Sequence, residues 1–385
     1  MRLLVLVAGL LAAGTVSCND DLVDGDADVD SDIDADGDTD TDTDADTDPE
    51  DPCFTALPVD LLWVIDNSNS MREEQANLAL NFSTLMEVLT NPPDSDGNGH
   101  TDYPPVEDLR VGIVTTDMGV GENTVLGCDA AGDDGDLVTA SRSDREECVG
   151  LEIGPDPWLG FHTGDDTAAF TQQFACLALL GTEGCGFEQQ LDAMLSALID
   201  HADPGEPNAG FVRPDSLIAV VFLTDEDDCS AADDSIFDPT PAAVEELGPY
   251  GTRCAMHQEL LHPFSHYVTA LDPLRLDRPA GMVVAAITGV PPDLVTVVDE
   301  IDYDTLLADE RMQYQVDPDD ETNLVPACSA VSVGSAIPAR RMVEFVRTFS
   351  PGERGLVQSI CSTDLRPAME AIARLIARRL CDRPY

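Results

Sequence analysis

The sequence predicts an α/β fold, a doubly wound and mostly parallel sheet flanked by helices, with long disulfide-stapled insertions. Three observations predict it. Continuous apolar runs at 58–65, 109–115, 217–223 and 282–287 read as strands buried on both faces. Segments with apolar residues at helical spacing separate these runs, the alternation expected of crossover-connected parallel strands. The remaining stretches at 118–165, 228–250 and 290–330 are rich in Pro, Gly or Asp and read as surface insertions.

The elements follow in chain order. Pro58-Val59-Asp60-Leu61-Leu62-Trp63-Val64-Ile65 is the first strand and stops at Asp66. A helix is expected from Ser70 to about Thr90, with Leu78, Phe82, Leu85, Met86 and Leu89 on one face. Leu109–Thr115 is the second strand, and helical segments are expected near 166–181 and 187–201. Leu217–Leu223 and Met282–Ile287 are the third and fourth strands, with helical stretches near 253–271 and 337–348 on either side of the fourth. Leu356–Ile360 reads as a last short strand before a closing helix from Leu365 to Leu380. In that helix Met369, Ile372, Leu375 and Ile376 form a core stripe, and Arg374, Arg378 and Arg379 a solvated face.

Three segments make up the chain. Residues 1–17 read as an export signal: Arg2, an apolar run from Leu3 to Ala13, then small residues. That run is too short to span a bilayer, and no later one approaches the length needed, so no transmembrane helix is expected in the mature chain. Val16-Ser17-Cys18 resembles the bacterial lipobox, although Thr15 stands where that motif usually has Leu. The resemblance implies cleavage before Cys18, its lipidation, and anchoring in a bacterial cell envelope, at the outer membrane or cell surface. Residues 18–52 are the second segment. Every second residue from Asp24 to Asp48 is Asp, which gives a self-repelling spacer rather than a strand. Fully stretched, about 32 residues reach at most ~110 Å. Residues 53–385 form the folded domain.

The chain carries 75 Asp+Glu against 19 basic residues, every one of them Arg, for a net charge of −56. Such a surface repels phosphate backbones and anionic headgroups, which excludes nucleic acid as a partner. The absence of Lys excludes Schiff-base and P-loop lysine chemistry. Eleven Cys are present. Setting aside Cys18 leaves ten, enough for five disulfides in an oxidising compartment. Several connectivities are open. Neighbour pairing would give Cys128–Cys148, Cys176–Cys185, Cys229–Cys254 and Cys328–Cys361, with Cys53–Cys381 tying the ends. No Cys/His spacing suggests a zinc site instead.

The first strand ends in Asp66-Asn67-Ser68-Asn69-Ser70, and the third in Thr224-Asp225-Glu226-Asp227-Asp228. Ligands of open α/β sheets gather beyond the carboxyl ends of strands. A carboxylate and two hydroxyls at i, i+2 and i+4 can converge oxygens on a hard cation. Two competing readings need no metal: Ser70-Met71-Arg72-Glu73 matches a helix capping box, and Thr224-Asp225 fits a polar turn. D-x-S-x-S after an apolar strand, with a later strand ending in Thr-Asp, resembles the von Willebrand factor A domain and its metal-ion-dependent adhesion site. The resemblance covers residues 58 to about 380. It implies that Ser68 and Ser70 bind Mg²⁺ (or Mn²⁺) directly, that Asp66 and Asp225 hold it through water, and that a protein ligand offers an acidic side chain to the metal. It also implies a third element, a Thr before the third strand. Thr182 is the candidate, though it stands further ahead of its helix than the pattern places it. Counting back from Leu191 puts Cys185 or Gly186 near that slot.

A second cation candidate is the loop Asp94, Asp96, Asn98 and Asp102, which matches the first half of a Ca²⁺ loop but has Pro105 where the bidentate Glu belongs. Its alternative is a flexible polar turn. His262 and His266 stand four apart, but Pro263 intervenes and no Glu completes a zinc-protease motif, so surface or capping roles are expected. No nucleophile elbow, dinucleotide fingerprint or P-loop occurs, and no catalytic residue is nominated. The expectation is a surface lipoprotein, not an enzyme, that binds a protein ligand through a divalent metal. The alternative is a structural or cation-binding envelope protein whose A-type fold has lost adhesion.

Overall fold

The computed structural model describes residues 57–380, apart from 96, 98, 276–280, 297–300 and 351–352. The export signal, Cys18, the acidic tract, the pair Cys53 and Cys381, and Asp96 and Asn98 of the calcium-loop candidate therefore lie outside the described residues.

The apolar runs become a central sheet. Strands β1 (Val59–Ile65), β2 (Asp108–Thr115), β3 (Leu159–His162), β4 (Leu217–Leu223), β5 (Met282–Thr288) and β6 (Gly355–Ser359) lie in the order β6-β5-β4-β1-β2-β3. All neighbours are parallel except β3, which runs antiparallel to β2. Ile65 pairs with both Thr115 and Leu223, so the central strands end flush. The chain leaves β1 for β2 on one side and returns to β4 on the other, which puts the topological switch point at β1.

Strand parity then sorts the core. Leu61, Trp63 and Ile65 face helices α1 (Arg72–Thr90), α2 (Thr167–Leu177) and α6 (Arg366–Leu380). Leu62 and Val64 face α3 (Gln190–Leu195), α4 (Phe264–Ala270) and α5 (Arg340–Arg347). Trp63 anchors the first layer, with ring centroids 5.7 Å from Phe174 and 6.4 Å from Phe82. Among the described residues no helix is long and apolar enough to cross a membrane.

Some expectations need correction. The 118–165 insertion contains β3, whose four residues alternate buried and exposed as a sheet-edge strand does. The helix expected over 253–271 is broken into Tyr250–Met256, a turn at Gln258–Leu260 and α4. Pro263 accounts for the break just before α4, where it is the N-cap, because the residue before a proline is held out of helical conformation. The 290–330 insertion contains a helix, Tyr303–Ala308, and hairpins at 316–324 and 328–336.

Two neighbour disulfides are also wrong. Cys229–Cys254 and Cys328–Cys361 form as expected, but Cys128 pairs with Cys185 and Cys148 with Cys176. The insertion folds back over α2 and the loop after it, so cysteines far apart in sequence come within 4.3 and 5.2 Å, Cα to Cα.

Candidate metal centre

Asp66 leaves β1 fully buried at the switch point, its amide bonded to the Leu223 carbonyl. Its carboxylate bends back on its own loop: Oδ1 accepts the Ser68 amide at 2.7 Å. Oδ2 accepts the Thr224 hydroxyl of the β4 end at 2.8 Å. Thr224 is held in turn by Gln190 Nε2 at 3.0 Å. Gln75 in α1 fixes the loop from below by donating to the Asp66 and Gly181 carbonyls. The Ser68 and Ser70 hydroxyls lie 3.4 Å apart, and Ser70 donates to Asp225 Oδ1 at 3.2 Å. The structure thus gathers Asp66, Ser68, Ser70 and Asp225 at one point.

That last bond bears on the capping-box reading. Helix α1 begins at Arg72 after Met71, and no side chain caps it. The Ser70 hydroxyl turns across the sheet to Asp225 instead of to its own helix.

Glu188 was missed in the sequence. It stands two residues ahead of α3, 6% exposed, and lines the same cleft as Ser68, Ser70 and Glu226. The cleft has a volume of about 370 Å³, and Phe187, Tyr250, Leu324 and Ile337 contribute its walls. The last three of these come from or beyond the long insertions, so those insertions shape the entrance. Gly184 explains the tight approach of the Glu188 loop. It donates its amide to the Asn67 carbonyl, and a Cβ there would lie 2.3 Å from Asn67 Oδ1. The available signal was a Gly-rich run, Gly184-Cys185-Gly186, with an acid two residues beyond it and just ahead of a helix.

The site is electrostatically unbalanced. Burial pushes up the carboxyls of Asp66, Glu188 and Asp225, the last two well above the ordinary range. Burial, then the charge of Asp66, lifts Glu226 to about 8. Burial also lifts Glu74 to about 7, helped by Glu73 and Asp66. The neighbouring charges that raise these groups are other carboxylates. Asn67 Oδ1 and Glu74 Oε2 are buried without a hydrogen-bond partner. Removing charge from water without a counter-charge is costly, so a cation is the natural complement. The donors are all oxygens, which suits a hard divalent ion such as Mg²⁺.

Of the residues nominated for the third element, Gly186 lines the cleft and the others sit elsewhere. Thr182 lines a neighbouring cavity with Arg72, Arg142 and Arg145, and Cys185 is bonded to Cys128. In the calcium-loop candidate, Asp94 accepts the Gly99 amide and Asp102 accepts both the amide and hydroxyl of Ser95.

No protein-family profile matches the chain, and no curated protein matches it. Among solved structures, the pilus adhesin RrgA from Streptococcus pneumoniae is similar over 45% of this chain, at 16% identity and a TM-score of 0.19. This chain covers 21% of that adhesin's length.

Proposed function

We propose that residues 53–385 are a von Willebrand factor A-type domain that binds a protein ligand through a divalent metal, Mg²⁺ or Mn²⁺, held between the Asp66–Ser70 loop and Asp225. The observation that carries the reading is the Ser70–Asp225 bond joining two strand-end motifs 155 residues apart over a buried carboxylate cluster. Ser68 and Ser70 are the direct ligands, with Asp66 and Asp225 behind them. The ion would supply an electrophilic position for an acidic side chain of the partner. Without it, Asp66, Glu188, Asp225 and Glu226 repel such a group. The protein is a binding protein rather than an enzyme, exported and anchored through Cys18 to a bacterial envelope. Disulfides suit that oxidising location.

The second reading is a cation-binding envelope protein without adhesion. Glu188 and Glu226 favour it, because each added carboxylate lowers the net charge that the ion presents to an acidic ligand. Mg²⁺ titration of the full chain against Asp66→Ala and Ser68→Ala tests the metal. Both variants are expected to lose at least about tenfold in affinity, and unchanged affinity in both would sink the site. A pull-down with and without EDTA then decides adhesion, since a partner retained equally in EDTA is not held by the metal.

A further inference from the structure

On the opposite face of the sheet from α1, three side chains converge that the cleft does not use. Asp192 of α3, His262 before α4 and His266 within α4 bring ligand atoms within 4.8 Å of one another, and among the described residues they are the only such trio of His, Cys, Asp or Glu. We propose that Asp192, His262 and His266 form a second metal site, selective for Zn²⁺ or a similar borderline-soft divalent ion.

The framework around them is rigid. The Tyr267 hydroxyl donates to Asp192 Oδ1 at 2.6 Å and so orients the carboxylate, leaving Oδ2 for a metal. Hydroxyl and carboxylate partners of this kind fix a ligand before the ion arrives. The His262 backbone is tied at both ends: its amide donates to the Ser230 carbonyl, and its carbonyl accepts Arg341 Nη2. The two imidazoles lie nearly parallel, 14° apart with centroids 4.2 Å from each other, and Tyr267 packs edge-on against both. Tetrahedral zinc with bonds of ~2.0–2.1 Å needs ligand atoms roughly 3.3 Å apart, so closure on the ion takes at most about 1.5 Å of side-chain rotation.

Donor chemistry supports the assignment. Two nitrogen donors select zinc over magnesium or calcium, and three protein ligands leave one position for water. The site is separate from the oxygen-lined cleft and does not depend on the reading of it.

The test is a ZnCl₂ titration of the full chain in saturating Mg²⁺, comparing wild type with His266→Ala and with His262→Ala plus His266→Ala. His266 is exposed, so its variant keeps the fold, and near-UV circular dichroism verifies this. One Zn²⁺ equivalent is expected in wild type, weakened at least about tenfold by His266→Ala and lost in the double variant. Asp66→Ala is expected to leave it intact. Co²⁺ in place of Zn²⁺ should give a visible ligand-field band that vanishes in the double variant. Equal Zn²⁺ affinity in wild type and double variant, or no stoichiometric binding in wild type, overturns the proposal.

Discussion

The run Thr224-Asp225-Glu226-Asp227-Asp228 divides its acids between opposite tasks. Glu226 lines the cleft and Asp225 lies beside it, accepting the Ser70 hydroxyl, and the neighbouring charges that shift both are other carboxylates. Asp227 accepts the amides of Arg341 and Met342 at 3.0 and 3.1 Å and also the Tyr314 hydroxyl, so it caps α5 from a distant loop. Asp228 pairs with Arg341 and accepts the Leu191 amide, which holds α5 and α3 to the β4 end. Glu188 belongs with the first kind, because its nearest charges are Asp66, Glu226 and Asp225. Glu188→Gln should therefore act in two directions. Without metal it removes repulsion and raises the melting temperature. With metal it removes a supporting charge and weakens Mg²⁺ affinity about 10–100-fold, the usual effect of losing an outer partner of a metal ligand. Paired thermal melts with and without Mg²⁺ read both. A variant whose melting temperature does not rise in EDTA would show that Glu188 is balanced by groups of the fold itself.

Between elements, the Cys128–Cys185 bridge has the most direct link to the site. It ties the insertion after β2 to the loop carrying Gly184 and Glu188, whereas Cys148–Cys176 ties the same insertion to α2, away from the cleft. Replacing either pair by Ser should cost about 2–4 kcal/mol of stability. Only Cys128→Ser plus Cys185→Ser should also weaken Mg²⁺ binding; equal losses from both pairs would show that the site loop is held by packing alone. These bridges also mark what was legible in the sequence. The parallel strands could be read because a strand buried on both faces leaves an unbroken apolar run, as at Leu217–Leu223. The edge strand β3 is short, half exposed and contains Gly160, so it leaves no such run. Asp66, Ser68, Ser70 and Asp225 could be read because each pair or triplet directly follows a legible strand. Glu188 could not, since its place depends on Gly184 seating a loop against Asn67, 117 residues earlier in the chain. His262 and His266 read as surface or capping residues for the same reason: 70 residues separate Asp192 from His262, and α3 meets α4 only in the folded core.

For the whole molecule the question is how a chain of net charge −56 keeps acids inside. Surface acids such as Asp364, held near 2 by Arg366, cost little because water and arginines serve them. The interior differs: Glu74 sits at about 7, Glu226 at about 8, Asp227 at about 6 and Asp192 at about 7, each raised first by burial. The native state therefore holds these protons more tightly than the unfolded chain. Their contribution to stability is fully present below the unfolded carboxyl range near 4 and is lost as pH rises through about 6–8. Growing surface repulsion acts in the same direction, and salt screens it. In EDTA the melting temperature should thus fall steadily from pH 5 to pH 8. A divalent cation reverses this, because it competes with protons for the same oxygens and binds more tightly as they ionise. Saturating Mg²⁺ should flatten the fall, and its apparent affinity should rise with pH over that interval. Melting curves at fixed ionic strength, with and without Mg²⁺, measure both slopes. A metal-free melting temperature that climbs toward pH 8 would mean that the buried carboxylates are already paired within the fold, which would remove the electrostatic case for a cation in the cleft.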